Sequence, residues 1–308
     1  MFKRLPPHIV GELHNKLTKQ RLRGAINKTP KSKVINPPTP SITPTNTPTI
    51  SLTPSITPTI SLTPTNTPPE REVTIDIFTI TYNEEKIIPY FIKHYSQYGN
   101  ITIYDNYSTD DTEKIALENG VKVIKYDSNN QIRDDLYLEI KNNCWKDSEA
   151  DWVIVCDADE FIYHPDLINM LKATKSTIFV PAGYDMVSET FPTTDSQIYD
   201  EIQFGTPSSG MCKMCLFNPK EIKEIDFTPG CHSAYPKGNV IKQKNDPDLK
   251  LLHMKALSRE YVINKHKVYS KRLSAENNKH GWGYHYHWDD KTIHNYFNKT
   301  IKNSKKVI

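Results

Sequence analysis

Segments with the apolar pattern of β-strands alternate with helical patterns between residues 72 and 156, and this alternation constrains the fold more than any other feature. The strand patterns occupy 72–81, 101–104, 121–126 and 152–156, and the helical patterns between them occupy 87–95, about 111–120 and 131–145. Strands that are each followed by a helix tend to pair in parallel, with the helices on the faces of the sheet. The sequence therefore predicts an α/β fold with a mostly parallel sheet flanked by helices.

Acidic side chains follow three of these strands at the point where each strand ends. Glu84 comes after the first strand, Asp105 after the second, and Asp157 and Asp159 after the fourth. The carboxyl ends of parallel strands meet at one edge of the sheet, where ligands bind in open α/β sheets. Carboxylates gathered in a cleft of low dielectric repel one another, and a divalent cation that prefers oxygen ligands relieves the repulsion. We therefore expect Mg²⁺ or Mn²⁺ at this edge.

The stretch from Trp152 to Pro165, WVIVCDADEFIYHP, carries a buried strand directly into a run of carboxylates. Two geometries are open for this run. If the chain stays extended past Cys156, side chains two positions apart share a face, and Asp157 and Asp159 both face one metal ion. If the chain turns there, one aspartate binds the metal and the other binds a ligand hydroxyl. In both geometries the metal keeps open positions, which the oxygens of a diphosphate can fill.

Three segments carry a resemblance to a known family. They are Thr81-Tyr82-Asn83-Glu84-Glu85, Tyr104-Asp105-Asn106-Tyr107-Ser108-Thr109-Asp110 and Asp157-Ala158-Asp159-Glu160-Phe161. In this order and spacing they resemble the glycosyltransferase family 2 group, which has the GT-A fold. The closer likeness is to a subgroup with D-x-D-E-F in place of the commoner D-x-D with variable flanks. The resemblance covers about 75–170 closely and extends more loosely to about 285.

The resemblance implies a site for a nucleotide diphosphate sugar. The residues expected to bind this sugar donor are Tyr82, Asn83, Glu84, Asp105, Arg133 and Asp157. The first three would line the pocket for the base and ribose, and Asp105 would hydrogen-bond to either of them. Asp157 would contact the ribose or the metal. Arg133 would reach the diphosphate as a cation, although a surface arginine explains it equally well.

The expected metal ligands are Asp157, Asp159 and His253. Enzymes similar to this chain often take a further metal ligand from a histidine in their C-terminal half. His253, at the end of an apolar strand predicted over 249–255, is the first choice, and His232 is the second. A structural role explains either histidine as well.

The resemblance also implies inversion at the anomeric carbon by direct displacement, which requires a general base for the acceptor hydroxyl. Asp226 and His232 follow the D-x-D motif at a suitable distance, and both are candidates for this base. A helix is expected over about 258–276, and the segment GWGYHYHWDD follows it. His285 and His287 in that segment could form a metal pair, or its aromatic rings could form a lid over the acceptor. A packed C-terminal segment explains the rings as well.

The leading hypothesis is an enzyme that transfers a sugar from a nucleotide diphosphate sugar to a hydroxyl acceptor, which could be a glycan, a protein or a lipid. A nucleotidyltransferase would usually carry a Gly-rich, basic loop after the first strand, whereas the loop at 82–85 is acidic. A phosphatase of the D-x-D-x-T type would need Thr or Val where Phe161 stands. A non-catalytic glycan-binding or surface structural protein on a Pro/Thr stalk is the alternative from another class. It does not require carboxylates at three strand ends.

Two segments precede the predicted catalytic domain over 70–308. Residues 1–36 hold nine Lys or Arg against one acid and have apolar residues at helical spacing, so a short basic helix could contact an anionic membrane or stay in solvent. Residues 37–69 contain ten prolines and no charge, which predicts a disordered linker. The +8 of the first segment and the +3 of the whole chain leave −5 for residues 70–308, which disfavours nucleic acid as a partner.

Cysteine usage and hydropathy bear on the compartment. The chain has five cysteines and a single C-x-x-C pair at 212–215, so neither a disulfide framework nor a zinc site is indicated. The N-terminus lacks the apolar core of a signal peptide, and no apolar run approaches the ~20 residues that span a bilayer. These features predict a cytoplasmic protein. The richness in Asn, Lys, Ile and Tyr suggests an AT-rich genome, such as that of a large DNA virus or a protist.

Overall fold

The computed structural model describes residues 72–193, 195–243 and 246–308. The predicted basic segment over 1–36 and the predicted linker over 37–69 lie outside the described residues. No helix in the described ranges is both long enough and apolar enough to cross a bilayer.

The first half of the fold follows the predicted alternation of strands and helices. Its elements are β1 (Ile75–Thr81), α1 (Ile88–Tyr95), β2 (Gly99–Asp105), α2 (Thr112–Glu118), β3 (Lys122–Lys125), α3 (Asp134–Asn143) and β4 (Trp152–Val155). Each predicted strand and helix of this region is present, with ends that differ by a few residues. The predicted α/β class is confirmed.

In the described residues, the second half contains mostly short strands and five helices, two of which are longer than ten residues. Its strands are β5 (Glu160–Tyr163), β6 (Ile178–Phe179), β7 (Ala182–Ser188), β8 (Phe204–Pro207), β9 (Leu216–Phe217), β10 (Ile222–Glu224), β11 (Lys237–Gly238), β12 (Lys242–Gln243), β13 (Lys250–Leu257) and β14 (Lys305–Lys306). Its helices are α4 (Leu167–Ala173), α5 (Ile198–Glu201), α6 (Arg259–Ser270), α7 (Ala275–His280) and α8 (Asp290–Asn303). Single 3₁₀ turns occupy Ser209–Met211, Pro229–Cys231 and Tyr284–His287.

The strands form two larger sheets. The seven-stranded sheet has the order β12-β6-β9-β4-β1-β2-β3, and its β4, β1, β2 and β3 are parallel to one another. The five-stranded sheet has the order β14-β8-β7-β13-β5 and is mostly antiparallel. The sequence predicted the mostly parallel sheet and missed the second sheet, because β13 pairs with β5 and β7, which lie far earlier in the chain.

Strand β4 is buried on both faces, as expected of a strand inside a parallel sheet. Trp152, Ile154 and Cys156 belong to one apolar cluster, and Val153 and Val155 belong to another on the opposite face. The register pairs β4 with the first four residues of β1, and it pairs all of β1 with all of β2. The residues that follow these three strands are therefore brought to the same edge.

The predicted helix over 258–276 is two helices, α6 and α7, with a break between them. Ser274 caps α7, since its Oγ accepts a hydrogen bond from the Asn277 N–H at 3.0 Å. The Ile132 N–H donates to the Arg272 carbonyl at 2.6 Å, so the break is bound to the region before α3. The predicted strand over 249–255 extends to Leu257, which places His253 within β13 rather than at its end.

Phe161 packs at the centre of the larger apolar cluster. It is fully buried, and its ring centre lies 6.2 Å from that of Phe91 and 6.3 Å from that of Tyr95. The residue that the D-x-D-E-F pattern places after the acids is therefore an anchor, which fixes the turn before it.

Replacement of Phe161 by Ala should lower the free energy of unfolding by about 3–5 kcal/mol, because it removes a buried ring and leaves a cavity. Urea denaturation would measure the change. The matched control is Tyr235→Ala, which removes a ring that is 67% exposed and should change the stability by less than about 0.5 kcal/mol. A loss below about 1 kcal/mol for Phe161→Ala would show that the ring does not anchor the core.

Candidate active site

Two loops form the edge of the sheet where β1 and β2 end. Asn83 has a φ of +53°, a left-handed conformation that asparagine tolerates, and its Oδ1 accepts a hydrogen bond from the Thr109 N–H at 2.7 Å. The Glu84 N–H donates to Thr112 Oγ1 at 2.7 Å. These bonds tie the two loops together. Asn83 does not cap α1, because the N-cap of that helix is Ile87.

Asp105 is fully buried between these loops. Its Oδ1 accepts hydrogen bonds from Thr81 Oγ1 at 3.1 Å and from Ser108 Oγ at 2.5 Å. Its Oδ2 accepts from the Ser108 N–H at 2.9 Å and from Lys125 Nζ at 2.6 Å. The carboxylate has partners on both oxygens, so it fixes the loop after β2. Its contact with a base or ribose stays a prediction.

The chain turns directly after β4. The Glu160 N–H donates to the Asp157 carbonyl at 3.0 Å, which closes the turn. Of the two geometries considered for this stretch, the turn is the one that the chain adopts. Asp157 and Asp159 consequently contact different groups.

Asp157 lies between two buried lysines. Lys141 on α3 forms an ion pair with its Oδ1, and Lys213 Nζ lies 3.3 Å from its Oδ2. Lys213 also pairs with Glu160. Burial alone would raise the pKa of Asp157, but the two lysines overcome it and hold that pKa well below its usual value.

Asp159 and Glu84 share one cation. Lys265 Nζ, on α6, lies 2.9 Å from Asp159 Oδ2 and 3.1 Å from Glu84 Oε1. Tyr269, one turn further along α6, donates to the same Glu84 oxygen at 2.7 Å. Burial raises the pKa of Glu84, against the opposing effect of Lys265. The pKa of Asp159 is held well below its usual value despite burial, by Lys265 and His253.

His253 lies between two carboxylates because β13 lies between β7 and β5. Its Nδ1 is 2.7 Å from Asp185 Oδ1, and its Nε2 is 3.6 Å from Asp159 Oδ2. Burial would lower the pKa of His253, but Asp159 and then Asp185 raise it to about 9. The bond to Asp185 fixes the ring so that Nε2 faces Asp159. Metal-binding histidines are commonly oriented by a carboxylate in this way.

These groups line one cleft of about 490 Å³, whose walls carry five carboxylates and five lysine or arginine side chains. The carboxylates are Glu84, Asp134, Asp157, Asp159 and Glu160, and the cations are Lys141, Lys213, Lys255, Lys265 and Arg272. Their formal charges cancel. The repulsion that the sequence led us to expect at this edge is therefore relieved by cations of the chain itself.

Arg272 lies in the break after α6 and stacks on Tyr82. Its Cζ is 3.1 Å from the centre of the Tyr82 ring, and its Nη2 donates to Asn106 Oδ1 at 2.5 Å. Its Nη1 is buried and has no hydrogen-bond partner among the described residues. Tyr82 also lines a smaller hollow of about 290 Å³. The other residues of that hollow are Asn106, Tyr107, Thr109, Asp127 and Asn130.

His232, one of the two predicted candidates for the general base, lines the cleft. Its Nδ1 lies 2.9 Å from the carbonyl oxygen of Gly210. Because a carbonyl oxygen only accepts hydrogen bonds, Nδ1 must carry the proton of this bond, and Nε2 of the neutral ring is left as an acceptor. The structure thus gives His232 the tautomer that a base requires.

Asp226 and Arg133 are not among the residues that line the cleft. The Asp226 carboxylate pairs with Lys237 Nζ at 2.5 Å. The Arg133 guanidinium pairs with Asp135 at 2.5 Å, at the start of α3. Each charged group is held by a local partner, so the structure does not bring either residue together with Asp159 and His253.

Aromatic and histidine side chains of the C-terminal segment form another wall of the cleft. Tyr284 is 66% exposed, and Trp282 stacks on His280 with ring centres 4.6 Å apart. Burial lowers the pKa of His285 to about 4, which leaves its ring neutral at pH 7. His287 is hydrogen-bonded to Asn278 at 2.9 Å and is not part of the lining. The two histidines therefore do not act as a pair.

Sequence reasoning assigned no role to Lys141, Lys213, Arg272 or Asp185. A signal existed for Lys213, which begins the apolar run KMCLF, because a lysine in a buried segment is nearly always paired. No local signal marks Arg272 or Asp185. Their partners are distant in sequence and meet them only through the packing of α6 and β13.

A family model described as glycosyl transferase family 2 matches residues 76–231, just over half of the chain. The chain therefore belongs to glycosyl transferase family 2. This membership favours sugar transfer over nucleotidyl transfer and over a non-catalytic glycan-binding role. No curated protein matches the sequence.

Several solved structures are similar over part of their length. A glucosyl-3-phosphoglycerate synthase from Mycobacterium tuberculosis, crystallised with Mn²⁺, UDP and glucosyl-3-phosphoglycerate, is 19% identical over 37% of this chain and 44% of that one, with a TM-score of 0.27. TarS from S. aureus is 12% identical over 64% and 63%, with a TM-score of 0.39. A mannosyl-3-phosphoglycerate synthase from Rubrobacter xylanophilus is 17% identical over 36% and 40%, with a TM-score of 0.28. The chain thus matches less than two thirds of the length of each.

Asp134 is a half-buried carboxylate in the cleft whose pKa is raised to about 6, chiefly by burial. Above about pH 6 the folded chain carries this negative charge at a cost in free energy. Below 3.8, the ordinary pKa of the group, the carboxyl is protonated in both the folded and the unfolded chain. Asp134→Asn should therefore raise the free energy of unfolding at pH 8 by about 1–2 kcal/mol, after allowance for solvent screening. The gain should vanish near pH 4. Urea denaturation at both pH values would measure it.

Asp135→Asn is the matched control for this prediction. Its hydrogen bond from Arg133 lowers the pKa of Asp135, so its charge favours folding, and the substitution should reduce stability at pH 8. An equal effect of the two substitutions, or a gain for Asp134→Asn that persists at pH 4, would contradict the burial argument.

Proposed function

We propose that the chain transfers a sugar from a nucleotide diphosphate sugar to a hydroxyl acceptor, with Mn²⁺ or Mg²⁺ bound in the cleft. The observation that carries this proposal is the charge balance of the cleft. Five carboxylates cancel five lysine or arginine side chains, and His253 adds one positive charge, which is less than the two negative charges of a diphosphate linkage. A divalent cation beside Asp159 supplies the missing positive charge and neutralises the charge that develops on the departing diphosphate.

The donor set at Asp159 fits such a cation. Asp159 supplies a carboxylate, and His253 presents Nε2 to it from 3.6 Å, with its ring oriented by Asp185. Within the described ranges, no three His, Cys, Asp or Glu side chains are grouped closely enough to hold a metal ion by themselves. The chain would thus provide two ligands, and diphosphate oxygens and water would provide the others. Asp157, which has a lysine on each oxygen, is proposed to accept a ribose hydroxyl instead.

The nucleotide is proposed to lie along the end of β1. Tyr82 lines both the cleft and the smaller hollow beside it, so a base in the hollow would leave its diphosphate in the cleft. Asn83 and Asp105 shape this region through the bonds that tie the two loops together. The unpartnered Nη1 of Arg272 offers a buried cationic donor beside Tyr82.

His232 is proposed as the general base. In an inverting transfer the acceptor oxygen attacks the anomeric carbon while the bond from that carbon to the diphosphate oxygen breaks. The base takes the acceptor proton as this happens. His232 has the free Nε2 and the position in the cleft that this role needs. Asp226 is the weaker candidate, because its carboxylate pairs with Lys237 away from the lining.

The acceptor is proposed to lie against the aromatic wall. Trp282 and Tyr284 offer ring faces, and the neutral imidazole of His285 adds no charge there. Such a surface suits the apolar faces of sugar rings better than it suits a strongly anionic acceptor. A glycan acceptor is therefore favoured over a phosphorylated one.

Incubation with a panel of nucleotide diphosphate sugars and Mn²⁺ should release nucleoside diphosphate from at least one of them, and removal of Mn²⁺ with a chelator should stop the release. Asp185→Asn should weaken Mn²⁺ binding and the release by about 10–100-fold, because it frees the His253 ring. Glu118→Gln, on the exposed side of α2, is the control and should change neither. Release that is absent for every donor, with no Mn²⁺-dependent thermal shift, would contradict the proposal.

His232→Ala should reduce sugar transfer by about 10²–10⁴-fold and leave the affinity for the sugar donor nearly unchanged, because a general base acts on the acceptor. Calorimetry with the donor and Mn²⁺ would measure binding, and product formation would measure transfer. Asp226→Asn is the comparison and should transfer at close to the normal rate. Loss of donor binding in His232→Ala, or loss of transfer only in Asp226→Asn, would refute the assignment.

A further inference from the structure

We propose that Lys265 competes with the divalent cation for Asp159, and that its ammonium moves to the diphosphate of the sugar donor when the cation binds. This inference rests on the proposed function, since it concerns how the same site is loaded. The inference depends on one oxygen atom, Oδ2 of Asp159. Asp159 Oδ2 lies 2.9 Å from Lys265 Nζ and 3.6 Å from His253 Nε2.

The Lys265 ammonium and a divalent cation cannot both contact Asp159 Oδ2 at low cost. A metal ion bound between Asp159 Oδ2 and His253 Nε2 would stand beside the Lys265 ammonium, which is 18% exposed and poorly screened by solvent. Like charges repel strongly at this range in a cleft of low dielectric. Binding of the metal therefore requires Lys265 to leave Asp159, and Lys265 lowers the affinity for the metal by the free energy of the contact that it gives up.

The surroundings of Lys265 permit this exchange. Its ammonium lies 5.8 Å from the ring centre of Tyr261 and 5.5 Å from that of Tyr269, and aromatic faces attract a cation. When the lysine leaves, Asp159 has the metal, and Glu84 keeps the hydrogen bond from the Tyr269 hydroxyl at 2.7 Å. Neither buried carboxylate is left without a partner, so the movement avoids the main penalty of breaking a buried ion pair.

The diphosphate gives the displaced ammonium a new partner. The linkage in a sugar donor carries two negative charges, which one divalent cation cancels. Breakage of the bond to the sugar adds a further negative charge to the leaving group, and a lysine ammonium matches it. Lys141 and Lys213 keep Asp157 and Glu160 as partners throughout. Lys265 has lost Asp159, one of its two carboxylate partners, and is therefore the lysine that can contact the diphosphate.

Two titrations of Lys265→Met test the proposal in opposite directions. The affinity for Mn²⁺ alone, measured from the electron paramagnetic resonance signal of the free ion, should become about tenfold tighter. This change is within the usual range for coupling between neighbouring sites. Binding of inorganic diphosphate at saturating Mn²⁺, followed by calorimetry, should become about tenfold weaker. Lys265→Arg, which keeps the charge, should stay close to the unmodified chain in both. The matched control is Lys267→Met on the same helix, whose 57% exposed side chain pairs with Asp290 at 3.4 Å.

The outcomes separate this proposal from a structural role and from the proposed function. A lysine that only stabilises the fold predicts Mn²⁺ binding that is unchanged or weaker in Lys265→Met. If that variant melts too low to titrate, Lys265→Gln keeps a polar side chain and should show the same two changes. Normal Mn²⁺ binding by the unmodified chain with no gain in either variant would overturn the competition and leave the proposed function standing. Tighter Mn²⁺ binding with unchanged diphosphate binding would overturn the movement of the Lys265 ammonium to the diphosphate. No Mn²⁺ binding by any form of the chain would overturn both this proposal and the proposed function.

Discussion

Four carboxylates in the cleft each contact a lysine of the same chain, and the rest of the site depends on this pairing. The carboxylates are those of Glu84, Asp157, Asp159 and Glu160, and the lysines are Lys141, Lys213 and Lys265. A buried charge without a partner would be neutralised or would destabilise the fold. The pairing allows the acidic edge to form without any external cation. Ligands that enter the cleft must then exchange partners with the lysines rather than find free carboxylates.

Lys141 and Lys213 lie inside the part of the chain that the family model matches, which ends at residue 231, whereas further groups of the site lie beyond it. Strand β13 brings His253, helix α6 brings Lys265 and Tyr269, and the break after α6 brings Arg272. Residues four apart on a helix share a face, so one face of α6 can present both Lys265 and Tyr269 to the acids. The sheet edge thus supplies the negative groups, and the C-terminal part adds Lys265, Arg272 and the aromatic wall to the cations already present.

The sequence predicted the features that follow from local pattern. Strand and helix periodicity gave the parallel sheet, and the rule for its carboxyl edge placed Glu84, Asp157 and Asp159 together. It could not predict which cation would meet those acids, because Lys141, Lys213 and Lys265 come from three distant parts of the chain that meet only in the folded structure. It also predicted one helix over 258–276 where the chain forms α6 and α7, since the cap at Ser274 and the contact of the break with the region before α3 depend on tertiary structure.

The turn after β4 explains why Asp157 and Asp159 of one motif contact different side chains. In an extended chain both would face the same side and compete for one cation, and Lys141 on α3 would lose the carboxylate that pairs with it. The turn instead directs Asp157 towards Lys141 and Lys213 and directs Asp159 towards His253 and Lys265. The buried ring of Phe161 anchors that turn to the apolar core. A packing interaction in the apolar core therefore helps to decide which cationic side chains each of the two aspartates meets.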